Sequence, residues 1–258
     1  MKLSVVITVL NEADTIDLLL AGLLQQTTPV DEIVIVDGGS ADQTKKIIKE
    51  WQKNPSIGKK IKFFTKEGNR SVGRNHAIKQ AKHDWLAITD AGCLPIETWL
   101  EELIAAQKKS QAPVIAGYYF GLPENNFQQA VIPYVLVPPN KVDPENFLPA
   151  TRSMMISRDV WKKLGGFDEK LDHNEDYALA KKMVKPNIEI KFTDRALVGW
   201  LPTKNLKDFY RMIYRFALGD IEASIVRPKV KLVFLRYVLV FRSEEHTSEL
   251  QSQFRISY

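Results

Sequence analysis

The chain has 258 residues, 45% of them apolar and 26% charged, with a formal net charge of +5. That balance excludes a disordered chain, 13 glycines exclude a collagen, and a single cysteine excludes a disulfide-stapled secreted domain. The basic excess favours an anionic partner: a nucleotide, a nucleic acid or a lipid head group.

The apolar run at the N-terminus is short. Ser4–Val9 reads as a buried strand and ends at Asn11-Glu12, with no small-residue cleavage site behind it. With no export signal and a lone Cys93, the expected compartment is the cytoplasm. Glu12–Gln25 carries Ile16, Leu19, Leu20, Leu23 and Leu24 at helical spacing. Glu32–Val36 is a second strand and ends in Asp37-Gly38-Gly39-Ser40. A helix over 42–53, a strand over 61–65, a helix over 71–81 and a strand over 85–89 follow. A helix over 95–108 and a strand over 114–120 complete the regular part. This alternation predicts an α/β fold: a doubly wound, mostly parallel sheet flanked by helices. Ligands in such sheets sit beyond the carboxyl ends of the strands, where the polar clusters at 8–12, 37–40 and 90–93 fall.

Between Pro123 and Pro149 the pattern dissolves into a proline-rich, loop-like insertion. Regular structure resumes at Met154–Ile156, with helices expected over 157–164 and 177–184. Residues 203–226 form an amphipathic helix. Leu206, Phe209, Ile213 and Phe216 lie on one side, and Lys204, Lys207, Arg211 and Arg215 make a cationic stripe. That helix is either a solvated element packed on the domain, an interfacial helix on anionic lipid, or one that reaches a bound diphosphate. The apolar run Leu232–Phe241 that follows is too short to span a bilayer and reads as the start of a possible membrane segment.

Residues 242–252, Arg-Ser-Glu-Glu-His-Thr-Ser-Glu-Leu-Gln-Ser, match the translation of a common sequencing-adapter oligonucleotide. A solvated natural tail is the alternative. Read as an artefact, 242–258 is set aside from fold reasoning. It carries Arg242 and Arg255 against Glu244, Glu245 and Glu249, so without it the net charge rises from +5 to +6.

Six local patterns occur in order. They are Ser4–Glu12, Ile33–Thr44, Gly73-Arg74-Asn75, Thr89-Asp90-Ala91-Gly92-Cys93, Gly165-Gly166-Phe167-Asp168-Glu169 and Glu175-Asp176. Together they resemble family 2 glycosyltransferases of the GT-A fold. The resemblance implies a GT-A domain over 1–202, with a nucleotide-binding half (1–120) and an acceptor half (121–202). The basic amphipathic segment 203–241 would follow it. It implies an inverting enzyme that moves a sugar from a nucleoside-diphosphate donor to a hydroxyl or lipid-phosphate acceptor, in cell-envelope glycan or glycolipid synthesis. A catalytically inactive nucleotide-sugar-binding protein of the same fold is the alternative. No nucleic-acid recognition module is visible.

The resemblance also assigns residues. Thr8, Asn11 and Glu12 match positions that line the base and ribose pocket; capping of the next helix is the alternative for Asn11 and Glu12. Asp37 can accept from a pyrimidine imide N–H, and Gly39 with Gly38 lets backbone approach closely. The family usually has two aspartates there, and here the second is Gly38. Arg74 matches a recurrent Arg-Asn pair and is suited to a pyrophosphate, while Arg70 is read equally as a surface residue. Asp90 stands at the first position of the family's Asp-x-Asp metal motif, or bonds the ribose. The second acid is replaced by Gly92, which puts strong binding of Mg²⁺ or Mn²⁺ in doubt. Asp176 is the expected general base, and Glu175 would orient or bond the acceptor. The bland alternative for this pair is two acids favoured by a helix N-terminus.

Overall fold

The computed structural model describes residues 1–225. The run Leu232–Phe241 and the tail 242–258 lie outside the described residues.

The elements run β1 (Leu3–Val9), α1 (Ile16–Leu24), β2 (Glu32–Asp37), α2 (Thr44–Trp51), β3 (Ile61–Thr65), α3 (Arg70–Gln80), β4 (Trp85–Ile88), β5 (Cys93–Pro95) and α4 (Trp99–Ser110). Then come β6 (Val114–Gly121), α5 (Asn126–Val135), β7 (Met154–Ser157), α6 (Arg158–Lys163), α7 (Glu175–Val184), β8 (Ile190–Trp200) and α8 (Leu206–Glu222). Eight strands form one sheet in the order β3-β2-β1-β4-β7-β6-β8-β5. Four of its seven pairings are parallel, so the sheet is mixed with a parallel N-terminal half. The expected doubly wound α/β architecture with flanking helices is present.

The central strands β1, β2 and β4 are apolar because both faces of the sheet are covered there. Along β1, Val5, Ile7 and Val9 turn toward α1 and α4, where they meet Leu19, Leu23, Trp99 and Leu103. Val6 turns the other way, into a second core with Val34, Ala77, Ile78, Trp161, Phe167 and Met183. The parallel strands β1 and β2 end side by side at Val9 and Asp37, and β4 ends beside Val6. The loops after them therefore open along one edge of the sheet.

Several boundaries differ from the sequence expectation. Helix α1 starts at Ile16, not Glu12, with Thr15 at its N-cap; the Glu12 carbonyl accepts from Ile16 N at 2.9 Å. The stretch from Pro95 begins as strand β5, which pairs with β8, and the helix waits until Trp99. Strand β6 does not continue the parallel run beside β4. Strand β7 inserts between them, antiparallel to both. The proline-rich insertion holds a helix, α5. Asn125 caps it by accepting from Gln128 N at 2.9 Å, and the Gln128 side chain donates to the Pro202 carbonyl at 3.1 Å. Pro133 lies near its end, where one lost backbone bond terminates the helix instead of breaking it.

Helix α8 docks on the start of α7. The Asn174 amide donates to the Phe216 carbonyl (2.9 Å) and to Asp220 Oδ1 (2.7 Å). Phe209 meets Phe127 and Tyr134 of α5 edge-on. The outer face keeps Leu206, Tyr210, Tyr214 and Ile221 exposed beside exposed Lys207, Arg211 and Arg215. No helix among the described residues is long and apolar enough to cross a membrane.

The register of β6 breaks between Ala116 and Tyr118, and Gly117 sits in the break. A β-carbon there would lie 2.0 Å from Ser153 Oγ and 2.7 Å from the Ala196 carbonyl oxygen. Gly117→Ala should therefore cost about 3 kcal/mol of unfolding free energy. Gly92→Ala, whose β-carbon would meet nothing within 4 Å, should leave stability unchanged. Urea unfolding of the two variants measures both, and equal midpoints would contradict the packing described.

Candidate active site

Asp37 ends β2 with its side chain fully buried. Its Oδ1 accepts from the backbone N–H groups of Gly39 and Ser40, each at 2.9 Å, and lies 3.6 Å from Lys45 Nζ. Gly39 has φ +111, which a side chain would strain. The other oxygen, Oδ2, has no hydrogen-bond partner among the described residues. A buried carboxylate oxygen left unpaired is costly unless a ligand brings it a donor.

The loops after β1 and β2 are stitched to one another. Asn11 takes a left-handed backbone, φ +55. Its N–H donates to Ser40 Oγ at 2.8 Å, and its side-chain oxygen accepts from Ala41 N at 2.9 Å. Glu12 N donates to Thr44 Oγ1 at 2.8 Å, and the Glu12 carboxylate accepts from Thr15 Oγ1 at 2.6 Å. Burial raises the Glu12 carboxyl above its ordinary value, against the Thr15 bond and the charge of Arg70. Thr8, half-buried, lies where α3 crosses β1 closely: a β-carbon on Gly73 would come within 2.8 Å of Thr8 Cγ2.

Asn69 caps α3, accepting from Val72 N at 3.1 Å, and Arg74 follows one turn later with 2% exposure. One terminal nitrogen of Arg74 donates to Asp90 Oδ1 at 2.7 Å, and the other donates to Glu175 Oε1. Burial works against the Arg74 charge, but Asp90 and Glu175 outweigh it and hold the guanidinium firmly protonated. The guanidinium also stands 5.5 Å from the centre of the Phe167 ring. Asp90 is likewise opposed by burial, but Arg74, Arg152 and Arg70 together lower its carboxyl below the usual value. Arg70 itself is exposed at the first position of α3.

Glu175 and Asp176 open α7 behind Asn174, whose φ is +55. Asp176 Oδ1 accepts from Tyr177 N at 2.7 Å. Burial first, then the neighbouring Glu175 charge, raises the Asp176 carboxyl, with Arg74 acting the other way. The next residue on α3 fixes this geometry from behind. Asn75 Oδ1 accepts from Phe167 N (2.9 Å) and Trp161 Nε1 (3.3 Å), and its amide donates to the Phe167 carbonyl (2.8 Å) and Glu169 Oε1 (2.9 Å). The Gly165–Glu169 turn is thereby pinned to α3.

The structure thus brings Arg74, Asp90, Glu175 and Asp176 into one cluster. Glu12 is close enough for its charge to be felt by the cluster, and Asp37 and Gly39 stand one strand away. Sequence reasoning missed Arg152, which sits just before β7. Its guanidinium lies 4.9 Å from the Tyr119 ring centre and 5.2 Å from that of Trp200. The one available signal was position, at the junction of the proline-rich stretch and an apolar strand. Cys93 is buried in the core, and its thiol is pushed up to about 12 by burial and by Asp90, so it is neither ligand nor nucleophile.

The donor set does not by itself make a cation site. One Asp90 oxygen is committed to Arg74, and the other has Thr151 Oγ1 at 3.5 Å. Gly92 adds no oxygen, and among the described residues no three Asp, Glu, His or Cys side chains gather to hold an ion. Mg²⁺ or Mn²⁺ prefers several oxygen ligands, so no step is derived through a metal here.

Residues 4–165 match the family description "Glycosyl transferase family 2". The chain is 23% identical over 236 residues to the glycosyltransferase AglE of Haloferax volcanii, covering 90% of this chain and 77% of that one. It is 25% identical over 251 residues to a poly-beta-1,6-N-acetyl-D-glucosamine synthase of Staphylococcus epidermidis, covering 90% of this chain but only 58% of the synthase. Among solved structures it resembles S. aureus TarS 1–349 in complex with UDP-GlcNAc, with a TM-score of 0.64, 20% identity and 86% and 66% of the two chains covered. It also resembles the mannosyltransferase PcManGT of Pyrobaculum calidifontis in complex with GDP-Man and Mn²⁺, with a TM-score of 0.68, 18% identity and 86% and 62% covered. The structural likenesses give the GT-A fold, and the match over 4–165 gives the kinship: the chain belongs to glycosyl transferase family 2 and is a glycosyltransferase.

Proposed function

We propose that this protein is an inverting glycosyltransferase that takes a sugar from a nucleoside diphosphate to a hydroxyl or lipid-phosphate acceptor. The observation that carries the reading is the gathering of Asp90, Glu175 and Asp176 around buried Arg74 at the carboxyl ends of the parallel strands. Asp37 supports it, because an imide N–H of uracil or thymine would supply the donor that Oδ2 lacks. Thr8, Asn11, Glu12 and Gly39 then surround the base and ribose.

In this mechanism Asp176 is the base. Its carboxylate takes the proton from the acceptor hydroxyl as that oxygen bonds to the anomeric carbon. The bond from the anomeric carbon to the phosphate oxygen breaks, and its electron pair leaves with the nucleoside diphosphate. Attack from the face opposite the leaving group inverts the anomeric centre. The raised Asp176 carboxyl makes a stronger base than an ordinary aspartate. Glu175 and Asp90 each accept one N–H from a terminal nitrogen of Arg74, whose Nε has no partner among the described residues, and Arg74 acts on the donor through Asp90. Asp90 is the carboxylate with an oxygen open to the donor's ribose or to a divalent ion, Mg²⁺ or Mn²⁺, carried in with the phosphates. We assign the nucleotide-binding half to 1–120 and the acceptor half to 121–202. The exposed Leu206, Tyr210 and Tyr214 beside Lys207, Arg211 and Arg215 suit contact of α8 with an anionic lipid surface on the cytoplasmic side. The relatives' names, among them a succinoglycan biosynthesis protein, support a role in cell-envelope glycan or glycolipid synthesis.

The test is turnover of UDP-, GDP- and dTDP-sugars with and without Mn²⁺. Release of the nucleoside diphosphate from one of them is expected, and binding without release would favour the inactive relative. Asp176→Asn should lower transfer by about 10²–10⁴-fold while nucleotide affinity holds. Wild-type rates in that variant would remove Asp176 as base. The wild-type acid limb should lie above pH 3.8, the ordinary aspartate value, because transfer is lost as pH falls through the raised carboxyl.

Stability should move the opposite way. A carboxyl raised by folding contributes stability below pH 3.8 that is lost as pH rises through its folded value. Asp176→Asn should therefore melt above the wild type at neutral pH, with the gap closing toward pH 3.8. A variant that melts below the wild type at neutral pH would contradict that burial.

A further inference from the structure

We propose that Arg152 anchors the donor's diphosphate, supplying from the protein the positive charge that meets the leaving group. The inference rests on the donor-binding reading above and goes beyond it by naming the cation. Gly92, where the family's second acid would stand, leaves open space beside Asp90: a β-carbon there would meet nothing within 4 Å. Arg152 follows Thr151, whose Oγ1 lies 3.5 Å from Asp90 Oδ2, and stands against Tyr119 and Trp200, with its charge felt by both Asp90 and Asp176.

The backbone around Arg152 is fixed. Thr89 Oγ1, one residue before Asp90, donates to the Arg152 carbonyl at 2.9 Å. Ser153 Oγ accepts from Trp99 Nε1 at 2.9 Å and donates to the Ala196 carbonyl at 2.9 Å, and the Ser153 carbonyl accepts from Gly117 N at 2.9 Å. The side chain is held as well. The Tyr119 and Trp200 rings, each about 5 Å away, and a side-chain hydrogen bond to Tyr119 hold the guanidinium, whose other N–H groups can meet a ligand.

The two arginines of the site differ in how they are used. Arg74 is shut away between two carboxylates. Among the described residues no carboxylate lies within ion-pair distance of Arg152, and the residue is only part-buried. A fixed, half-buried guanidinium without a direct counter-ion is a poor structural element and a good phosphate receptor. Its planar fork of donors matches two phosphate oxygens. As the anomeric bond breaks, charge grows on the departing phosphate oxygen, and a pre-positioned cation stabilises that charge without reorganisation.

Calorimetry separates this role from packing. Wild type, Arg152→Lys and Arg152→Met would be titrated with the preferred nucleoside diphosphate and with its parent nucleoside, in EDTA and in Mn²⁺. The Met variant should lose about 10–100-fold in diphosphate affinity, with nucleoside affinity changed less than about twofold. The Lys variant, which keeps charge but not the fork, should lie between, so it decides the matter if Arg152→Met does not fold. Wild-type diphosphate binding should persist in EDTA. Diphosphate-to-nucleoside affinity ratios unchanged in both variants would overturn the proposal. So would wild-type diphosphate binding that vanishes in EDTA, since an ion would then supply the charge. A wild type that binds none of UDP, GDP or dTDP would overturn the donor-binding reading as well.

Discussion

A single buried guanidinium ties the site to the fold. Arg74 meets Asp90, 16 positions away at the end of a strand, and Glu175, 101 positions away at the start of a helix. Three acids lie close together there, and without a cation among them their repulsion and desolvation would force them apart or neutralise them. With Arg74 in place they take different states. Asp90 is held ionised, while Asp176 is raised by burial and by the Glu175 charge beside it. Environments that push neighbouring carboxylates apart in this way are how one site can present a charge and a base side by side.

The surrounding structure keeps that arrangement rigid. Gly73 lets α3 press on β1, so that Arg74 points along the strand ends. Asn75 binds both sides of the Phe167 peptide and so fixes the turn that leads toward α7. On the far side, Ser153 ties β6, α4 and β8 together beside Arg152. Asp176, the unpaired Asp37 oxygen and the unpartnered Arg74 Nε are places where stability is given up.

Strands β1 and β2 were legible because a strand covered on both faces is a short, largely apolar run. The turns at Asp37, Asp90 and Glu175 were legible because strand and helix ends gather polar residues. Elements set by long-range contacts were not. Helix α5 contains Pro133 and depends on the Asn125 cap and on Gln128 reaching Pro202. Strand β8 opens with exposed, polar residues and reads as a strand only beside β6. The bridging position of Arg74 was equally hidden: its motif marked it as important, and local spacing suggested a surface cation near phosphate. Only tertiary structure brings Glu175 to it. Arg152 had no signal beyond its place before an apolar strand, since Tyr119 and Trp200 come from separate strands.

The measurement that bears most directly on this account is a double-mutant cycle between Arg74 and Glu175, read by urea unfolding of the wild type, Arg74→Met, Glu175→Gln and the double variant. If the guanidinium holds the acids together, removing either partner strands the other. The double variant should then be more stable than the sum of the single losses allows, with a coupling of about 2 kcal/mol or more. Losses that add to within about 0.5 kcal/mol would show that the two residues act independently, and would contradict the central role given to Arg74.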